Sequence, residues 1–507
     1  MENKSGYPIY ARVSEKSGCR GEVAKDHILP DSYPDIRRIL YAKARLSPSG
    51  SDTEGGRMNS EGQLICTVLF SDDNGGLNSV DFVSDYRISC PLPKGDGDIE
   101  IVALPEIESV SAKAVNPRKV GIRAVINMRE GVWRLIDPLP VTPAGWNGAD
   151  RLSLERRVSD ITYGVSRLYT DRGREISEDV ELDRSLPPIN ELISASVDIS
   201  LSDSSVKDDR IELRGCAAVS ILWSDADGNI RFKEVELPFS QSIEASGASP
   251  DGICISKVYI DKLSALPAEN AFGELKTVEL DFTCSILSLC TSKCAGEITS
   301  DAYSTSCNTE NRLCTLRYSI PGEPLSTEET RQVTDKLEPG NVPVCVFGSA
   351  RVIPSEGGGA DMQVTLTVIL RSSGGDYSPV KLEDRFGIAV SDPRAGISEA
   401  AVRSVNVFAE RDRLRVNYTC VLNSLSGSDA EVSYVSEVLI SPSPDERTPC
   451  SFAICYPEKG ESLWDTAKKY RVSRGALMSA NGMASPDEPR SFYLIPKRKK
   501  PDFSEVI

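Results

Sequence analysis

The chain has 507 residues with 75 acidic and 58 basic side chains, and its formal net charge is −17. This charge argues against a nucleic-acid-binding protein, whose contact surface would be basic. No run of 18 apolar residues is present, so we predict no transmembrane segment. The first residues lack the apolar region of a secretory signal, which predicts a cytoplasmic chain. At this length, three or four domains are expected.

Cysteine and histidine content bears on the possible chemistry. The chain has 14 cysteines and a single histidine, His27. The closest cysteines, Cys290 and Cys294, do not have the spacing of a zinc site. Others, such as Cys66, lie in strand-like runs where a free thiol packs as a small apolar group. We therefore predict buried free thiols, with metal binding or crosslinking as alternatives. One histidine also removes most triad and metal-hydrolase chemistries, so we predict no enzyme, no metal and no cofactor.

The first motif in chain order opens a repeated unit. Residues 34–40 combine a proline with apolar residues at spacings of three and four, and the pattern recurs 153 positions later at 187–193. This spacing behind a proline favours one or two helical turns.

A hairpin of 26 residues, 61–86, is present in three copies at offsets of 153 and 300 residues. Each copy has a β-branched, apolar strand, a turn with glycine and a second alternating strand. A glycine at a fixed place in the turn is expected to adopt positive φ. The residues that hold the register are the turn glycines Gly75, Gly228 and Gly375 and the aromatic residues Tyr86, Phe239 and Phe386. Such a period is strong evidence for repeated structural units.

Further alternating strands close each unit, which predicts half-buried antiparallel sheets and small sandwiches. The predicted segments are a polar arm at 1–20, repeat domains at 21–130, 174–288 and 340–425, a C-terminal domain at 450–497 and a tail at 498–507. The predicted linkers are 131–173, 289–339, which contains cysteines, and 426–449. Within the first two linkers, 152–169 and 327–337 are compatible with helices.

Two acidic patterns suggest other chemistry. Asp225 and Asp227 before Gly228 resemble part of a calcium loop, but the third copy of this turn has no carboxylate in 371–375. Turn geometry is therefore the preferred interpretation. Glu181 and Asp183 are paired carboxylates of the kind that a hydrolase would need, but 75 acidic residues make such pairs frequent by chance.

The C-terminal segment has a different pattern, strand–helix–helix–strand. Ser462 is placed to cap a first helix, with Asp465 completing a capping box. Ser473 is placed to cap a second helix, and Asn481 with Gly482 provides its left-handed end. The residues that carry a resemblance are Gly460, Glu461, Ser462, Leu463, Trp464, Asp465, Ala467, Tyr470, Leu477 and Asn481. With them, 450–497 resembles a LysM domain.

The LysM resemblance implies a groove for N-acetylglucosamine polymers between the turn before the first helix and the loop after the second. The implied groove residues are Gly460, Glu461, Ser462, Leu463, Asn481, Gly482 and Met483. Glu461 and Ser462 differ from the usual Asp and Thr of the family, which makes sugar binding less secure than the fold. Trp464 points either to the surface or to a partner, and we treat it as a candidate exposed anchor for a protein interface.

Together, the segment 29–40, the hairpin repeats and the C-terminal domain resemble the SipL-like spore-coat morphogenesis proteins, which carry SPOCS repeats. The resemblance implies three tandem β-sandwich-like domains followed by a βααβ LysM domain, mainly β overall. It also implies a non-enzymatic scaffold in the mother-cell cytoplasm, at the forespore surface and spore coat, which binds the coat-morphogenetic ATPase. The alternatives are a LysM-mediated peptidoglycan-binding protein and a hydrolase.

Overall fold

The computed structural model describes residues 9–12, 19–92, 99–136, 143–144, 154–355, 359–389, 397–441, 451–486, 488 and 490–497. The predicted tail, the end of the third predicted linker and most of the predicted arm lie outside these residues. In the part of the chain that is described, no helix combines the length and apolar character needed to cross a membrane.

The body of the molecule is built from strands. Unit 1 contains β1 (Ile9–Arg12), β2 (Cys19–Ile28), β3 (Ile36–Glu54), β4 (Arg57–Asp72), β5 (Leu77–Pro91), β6 (Ile99–Asn116) and β7 (Lys119–Ile136). After a short β8 (Pro143–Ala144), unit 2 contains β9 (Leu154–Glu181), β10 (Glu191–Lys207), β11 (Arg210–Ser224), β12 (Ile230–Glu244), β13 (Ile253–Glu269) and β14 (Leu275–Ser304). Unit 3 contains β15 (Asn308–Lys336), β16 (Val342–Pro354), β17 (Ala360–Arg371), β18 (Tyr377–Ile388), β19 (Ile397–Glu410) and β20 (Arg413–Ser441).

All three units have the same topology. Three consecutive strands form one antiparallel sheet, with orders β3-β4-β5, β10-β11-β12 and β16-β17-β18. In the second sheet the last strand pairs with the strand before it and with the first strand, as in β13-β14-β9. In unit 1 the place of the first strand is taken by β1 and β2, which both pair with β7. The buried faces of the two sheets share one core; in unit 2, Trp223 from one sheet and Phe282 from the other belong to the same cluster. The prediction of a mainly β chain is confirmed.

The hairpin turns have the predicted backbone. Gly75, Gly228 and Gly375 adopt φ values of 78°, 77° and 88°, a region that side-chain-bearing residues avoid. In the first two copies an aspartate closes the turn: the carboxylate Oδ1 of Asp225 accepts hydrogen bonds from the backbone N–H groups of Asp227 (3.0 Å) and Asn229 (2.9 Å). The repeated glycine therefore has a structural role in each hairpin.

The three units meet at equivalent residues. Leu69, Leu222 and Ile369 occupy the same position in the middle strand of the hairpin sheet, and all three are buried in one apolar cluster. Tyr41 of unit 1 stacks on Phe347 of unit 3 with ring centroids 4.3 Å apart. Side chains at repeat-equivalent positions thus form a common centre for the body.

The predicted opening helix is wrong, because 36–54 is the strand β3. Register shifts between Ile36 and Arg38 and between Ile39 and Tyr41 insert extra residues into this strand. Such bulges change the face to which the following side chains point. Ile36 and Ile39 therefore join the core of unit 1, and Leu40 joins the central cluster on the other face. The bulges, rather than a helix, produced the helical spacing.

The helices predicted at 152–169 and 327–337 are also wrong. The described part of the first belongs to β9, which pairs along its whole length with β14, and the second belongs largely to β15, which pairs with β20. These ladders extend beyond the sandwiches and pack on each other through Tyr163, Ile298 and Leu316. We call the extended part the stalk, residues 154–168, 290–304, 308–320 and 428–441. Segments assigned to linkers therefore contain strands, and the domain boundaries themselves stay predictions.

Candidate interaction site in the C-terminal domain

The C-terminal domain folds as predicted, from β21 (Phe452–Cys455), α1 (Leu463–Lys469), α2 (Arg474–Ala480) and β22 (Tyr493–Pro496). Ser462 and Asp465 form the predicted capping box: Asp465 N–H donates to Ser462 Oγ at 3.3 Å, and Ser462 N–H donates to Asp465 Oδ2 at 3.0 Å. The hydrogen bonds from Ser462 lower the pKa of Asp465. Ser473 caps the second helix by accepting from the N–H of Ala476 at 3.2 Å.

Asn481 joins the second helix to the last strand. Its side-chain amide nitrogen donates to the carbonyl oxygens of Leu477 (2.8 Å) and Leu494 (2.9 Å), and its side-chain oxygen accepts from Leu494 N–H (2.7 Å). These bonds use both amide protons, so the side chain serves the fold. Gly482 follows at a φ of 59°, as predicted for the left-handed end of the helix.

The other predicted groove residues divide into backbone turns and core. Gly460 has a φ of 93°, and Glu461 Oε2 accepts from the N–H of Glu458 at 2.8 Å. Leu463 and Met483 are buried in the domain core. A ligand at this position would therefore meet mainly the exposed turns at Gly460 and Gly482. The role of these residues in binding stays a prediction.

Trp464 does not lie at the surface. Its side chain has only 5% exposure, and its ring packs edge-to-face on Tyr303 with centroids 5.0 Å apart. Its indole N–H donates to Asp301 Oδ2 at 2.7 Å. The expectation of an exposed anchor is thus corrected: this aromatic side chain holds the C-terminal domain on the stalk of its own chain.

Asp301 is the polar centre of this contact. Lys468 Nζ lies 2.7 Å from its Oδ1 and 2.8 Å from its Oδ2, and the side-chain amide of Asn311 donates to Oδ1 at 2.7 Å. Tyr303 O–H also donates to the carbonyl of Val472 at 2.7 Å. The contact therefore combines ring packing with a charge-assisted hydrogen-bond network.

Sequence reasoning missed the stalk side of this contact. Asp301 and Tyr303 lie in the predicted linker 289–339, more than 160 positions before Trp464. A polar and aromatic pair inside a strand has no local pattern that indicates its partner. No alternation along β14 marks the pair either, because Ala302, Tyr303 and Ser304 are all buried.

The alternative sites have structural roles. The Asp225 carboxylate is bound by backbone N–H groups and by Arg231 Nε at 3.0 Å. Asp183 pairs with Lys233 at 3.0 Å beside a shallow cavity of about 280 Å³ that Glu181 also lines. Across the described ranges, no cluster of three or more His, Cys, Asp or Glu side chains is placed to hold a metal ion.

Comparison with known families assigns two parts of the chain. The SipL, SPOCS domain model matches residues 188–266, which run from the start of the unit 2 hairpin sheet into β13. The LysM domain model matches residues 458–491, which contain both helices. The chain carries a SipL-type SPOCS domain and a LysM domain. Searches of curated proteins and of solved structures found no match.

The two domain types define the general class of the protein. SPOCS and LysM domains are non-catalytic binding domains, found in sporulation-related interaction proteins and in peptidoglycan-binding proteins. The predicted resemblance is thereby confirmed for the second β unit and for the C-terminal domain. Units 1 and 3 share the strand order of the unit that the SPOCS model matches.

Proposed function

We propose that this chain is a non-enzymatic scaffold of endospore coat assembly. It works in the mother-cell cytoplasm and binds the coat-morphogenetic ATPase at the forespore surface, through its LysM domain and its β units. The presence of a SPOCS domain and a LysM domain in one chain carries the proposal. The contact of Trp464 and Lys468 with Asp301 supports it, because it places the LysM domain next to the β units, where one partner can reach both.

A second candidate function is binding of peptidoglycan or another N-acetylglucosamine polymer. It is favoured by the position of the predicted groove. The turns at Gly460 and Gly482 stay exposed while the Trp464 side of the domain faces the stalk. Docking on the stalk thus leaves these two turns accessible.

A groove-blocking variant separates the two functions. Ala484 is exposed in the loop after the second helix, so Ala484→Trp adds bulk beside the groove without disturbing the core. The wild-type chain and this variant are compared in co-purification with the coat ATPase of the same organism and in a peptidoglycan pulldown. The scaffold predicts equal ATPase capture by both forms and little glycan retention. Retention of the wild-type chain on peptidoglycan, loss of that retention in Ala484→Trp and no ATPase capture would establish glycan binding instead.

A further inference from the structure

In the part of the chain that the structure describes, the LysM domain has an exposed apolar sheet face. Phe452, Ile454 and Tyr456 alternate outward along and just beyond β21 with exposures of 55%, 61% and 74%, and Phe492 beside β22 is 44% exposed. The rings of Tyr456 and Phe492 lie 6.3 Å apart. The inward residues of the same strands, Cys455, Tyr493 and Ile495, form the domain core. A compact group of four large apolar side chains on so small a domain is typical of an interaction surface.

The segment that carries this face is more basic than the chain as a whole. Residues 451–507 contain ten basic and seven acidic side chains, in a chain whose net charge is −17. Next to the face, Lys459 lies in an exposed turn and Lys497 directly follows β22. The face therefore fits a partner surface that is both apolar and acidic.

The chain itself provides such a surface in unit 2. On the outer side of the β13-β14-β9 sheet, Glu279 stands directly opposite Asp179, and Asp281 and Glu181 occupy adjoining rows. All four are exposed. Glu175 extends the row, and we call these five residues the acidic face. Beside it, the exposed side chains Leu266, Phe272 and Leu275 form an apolar edge, with Leu266 opposite Glu279.

Units 1 and 3 show that the fold does not require this charge. In the corresponding sheet of unit 1, Lys119 pairs with Asp26 and Arg123 pairs with Glu22, each at 2.8 Å. In unit 3 the position equivalent to Glu279 holds Arg415. Acidic residues directly opposite each other destabilise a strand pair. Basic side chains near these rows include Lys262, opposite Thr283, and Arg184, whose guanidinium lies 5.5 Å from the centroid of the Phe272 ring. The acidic face therefore lowers the stability of unit 2, and the fold does not require it.

The two surfaces cannot meet within one molecule. The LysM domain is held at the stalk end of β14 by Asp301, and Glu279 lies 22 residues away in the same strand. At the rise of an extended strand this separation is about 70 Å. The contact must therefore form between copies.

We propose that the apolar sheet face of the LysM domain binds the acidic face and apolar edge of unit 2 in a second copy of the chain. Because the two surfaces are different, the contact is heterologous. Every open complex therefore has a free LysM sheet face at one end and a free acidic face at the other. Head-to-tail contacts of this kind produce open chains unless the rotation closes a ring.

The test uses sedimentation velocity of the full chain over a range of protein and salt concentrations. The wild-type chain is expected to form species larger than a dimer at low ionic strength and to dissociate as salt screens the charges. Phe452→Ser/Ile454→Ser and Asp179→Lys/Glu279→Lys are each expected to weaken association at least about tenfold. Phe408→Ser, another exposed aromatic, and Asp203→Lys/Asp208→Lys, with the same charge change on the other sheet of unit 2, are controls that keep wild-type association.

Mixing the two defective variants gives the sharpest result. Each retains one intact surface, so the mixture is expected to form a one-to-one dimer and nothing larger. A wild-type chain that stays monomeric at all concentrations overturns the proposal. Equal association by the surface variants and their controls, or a mixture that forms no dimer, also overturns it. If the monomeric chain captures the coat ATPase through Phe452, the face belongs to that partner, and the proposed function stands without self-association.

Discussion

The β units and the LysM domain are both small, but they differ in how far apart in the sequence their stabilising partners lie. In the LysM domain, each helix begins at a residue that caps it from within three positions, as Ser462 and Ser473 do. In the units, the first and last strands pair across more than 100 residues, as Leu154 and Ser304 do. The sequence patterns that predict helices are correct in the LysM domain but wrong in the β units. Local patterns decide structure where the stabilising partners are also local.

Breaking the contact between the two regions should have the largest effect. Trp464→Ala removes a buried ring and its bond to Asp301, and is expected to destabilise the LysM domain by about 3–5 kcal/mol. The LysM domain should then melt before the body in calorimetry and become sensitive to protease. Trp464→Phe retains the ring contact with Tyr303 and serves as the control. A single melting transition at the wild-type temperature in Trp464→Ala would show that the contact does not hold the domain.

The second prediction concerns close packing inside a unit. A Cβ added at Gly215 would lie 2.2 Å from Ser200 O and 2.7 Å from Leu201 Cα. These contacts arise because β10 bulges between Leu201 and Asp203. Gly215→Ala should therefore cost about 2–3 kcal/mol, measured by urea unfolding.

A matched glycine in unit 3 controls for the loss of glycine itself. Gly387 is also in a strand, but its nearest neighbour would lie 3.9 Å from an added Cβ. Gly387→Ala should have little effect. Equal stability of the two variants would mean that the bulge relaxes to accept a side chain.

The third prediction concerns a buried carboxyl group at the contact between the three units. The Oε2 atom of Glu399 in unit 3 is buried and has no hydrogen-bond partner among the described residues. It lies near the ion pair of Lys257 with Glu106, whose atoms are 3.2 Å apart. Burial raises the pKa of Glu399 to about 7, with Lys257 opposing the rise and Glu106 adding to it.

A raised pKa in the folded state means that protonation favours folding. The stabilisation is fully present below the ordinary glutamate pKa and is lost as the pH rises through about 7. Glu399→Gln should therefore raise the free energy of unfolding at pH 8 by about 2 kcal/mol, with little change at pH 4.5. Urea unfolding of both forms at the two pH values checks this. An equal difference between the forms at both pH values would exclude titration of Glu399 as the cause.

The smallest expected effect is in the repeated turn. Gly228 has a φ of 77° and open space around its Cβ position. Gly228→Ala should cost about 1 kcal/mol from the left-handed backbone alone. Thermal unfolding measures it, and Gly228→Asn, which tolerates this conformation better, should recover part of the loss. If both substitutions leave the melting temperature unchanged, the turn does not need its glycine.

The candidate site shows how far local sequence information reaches. The capping box at Ser462, the turn at Gly482 and the buried positions of Leu463 and Leu477 were all predictable, because each depends on residues a few positions away. The burial of Trp464 was not predictable, because its partners Asp301 and Tyr303 come from a strand that only the paired ladders bring into place.

The sequence by itself determined the repeat, its hairpins and their turn glycines, and the βααβ domain at the C-terminus. These depend on alternation over a few residues, on positive φ at one glycine and on caps within one helical turn. Only the tertiary structure decided the stalk, the common centre at Leu69, Leu222 and Ile369, and the acidic face of unit 2. Each of these arises from pairing or packing between residues far apart in the chain, and side-chain identity alone does not specify which distant segment will be the partner.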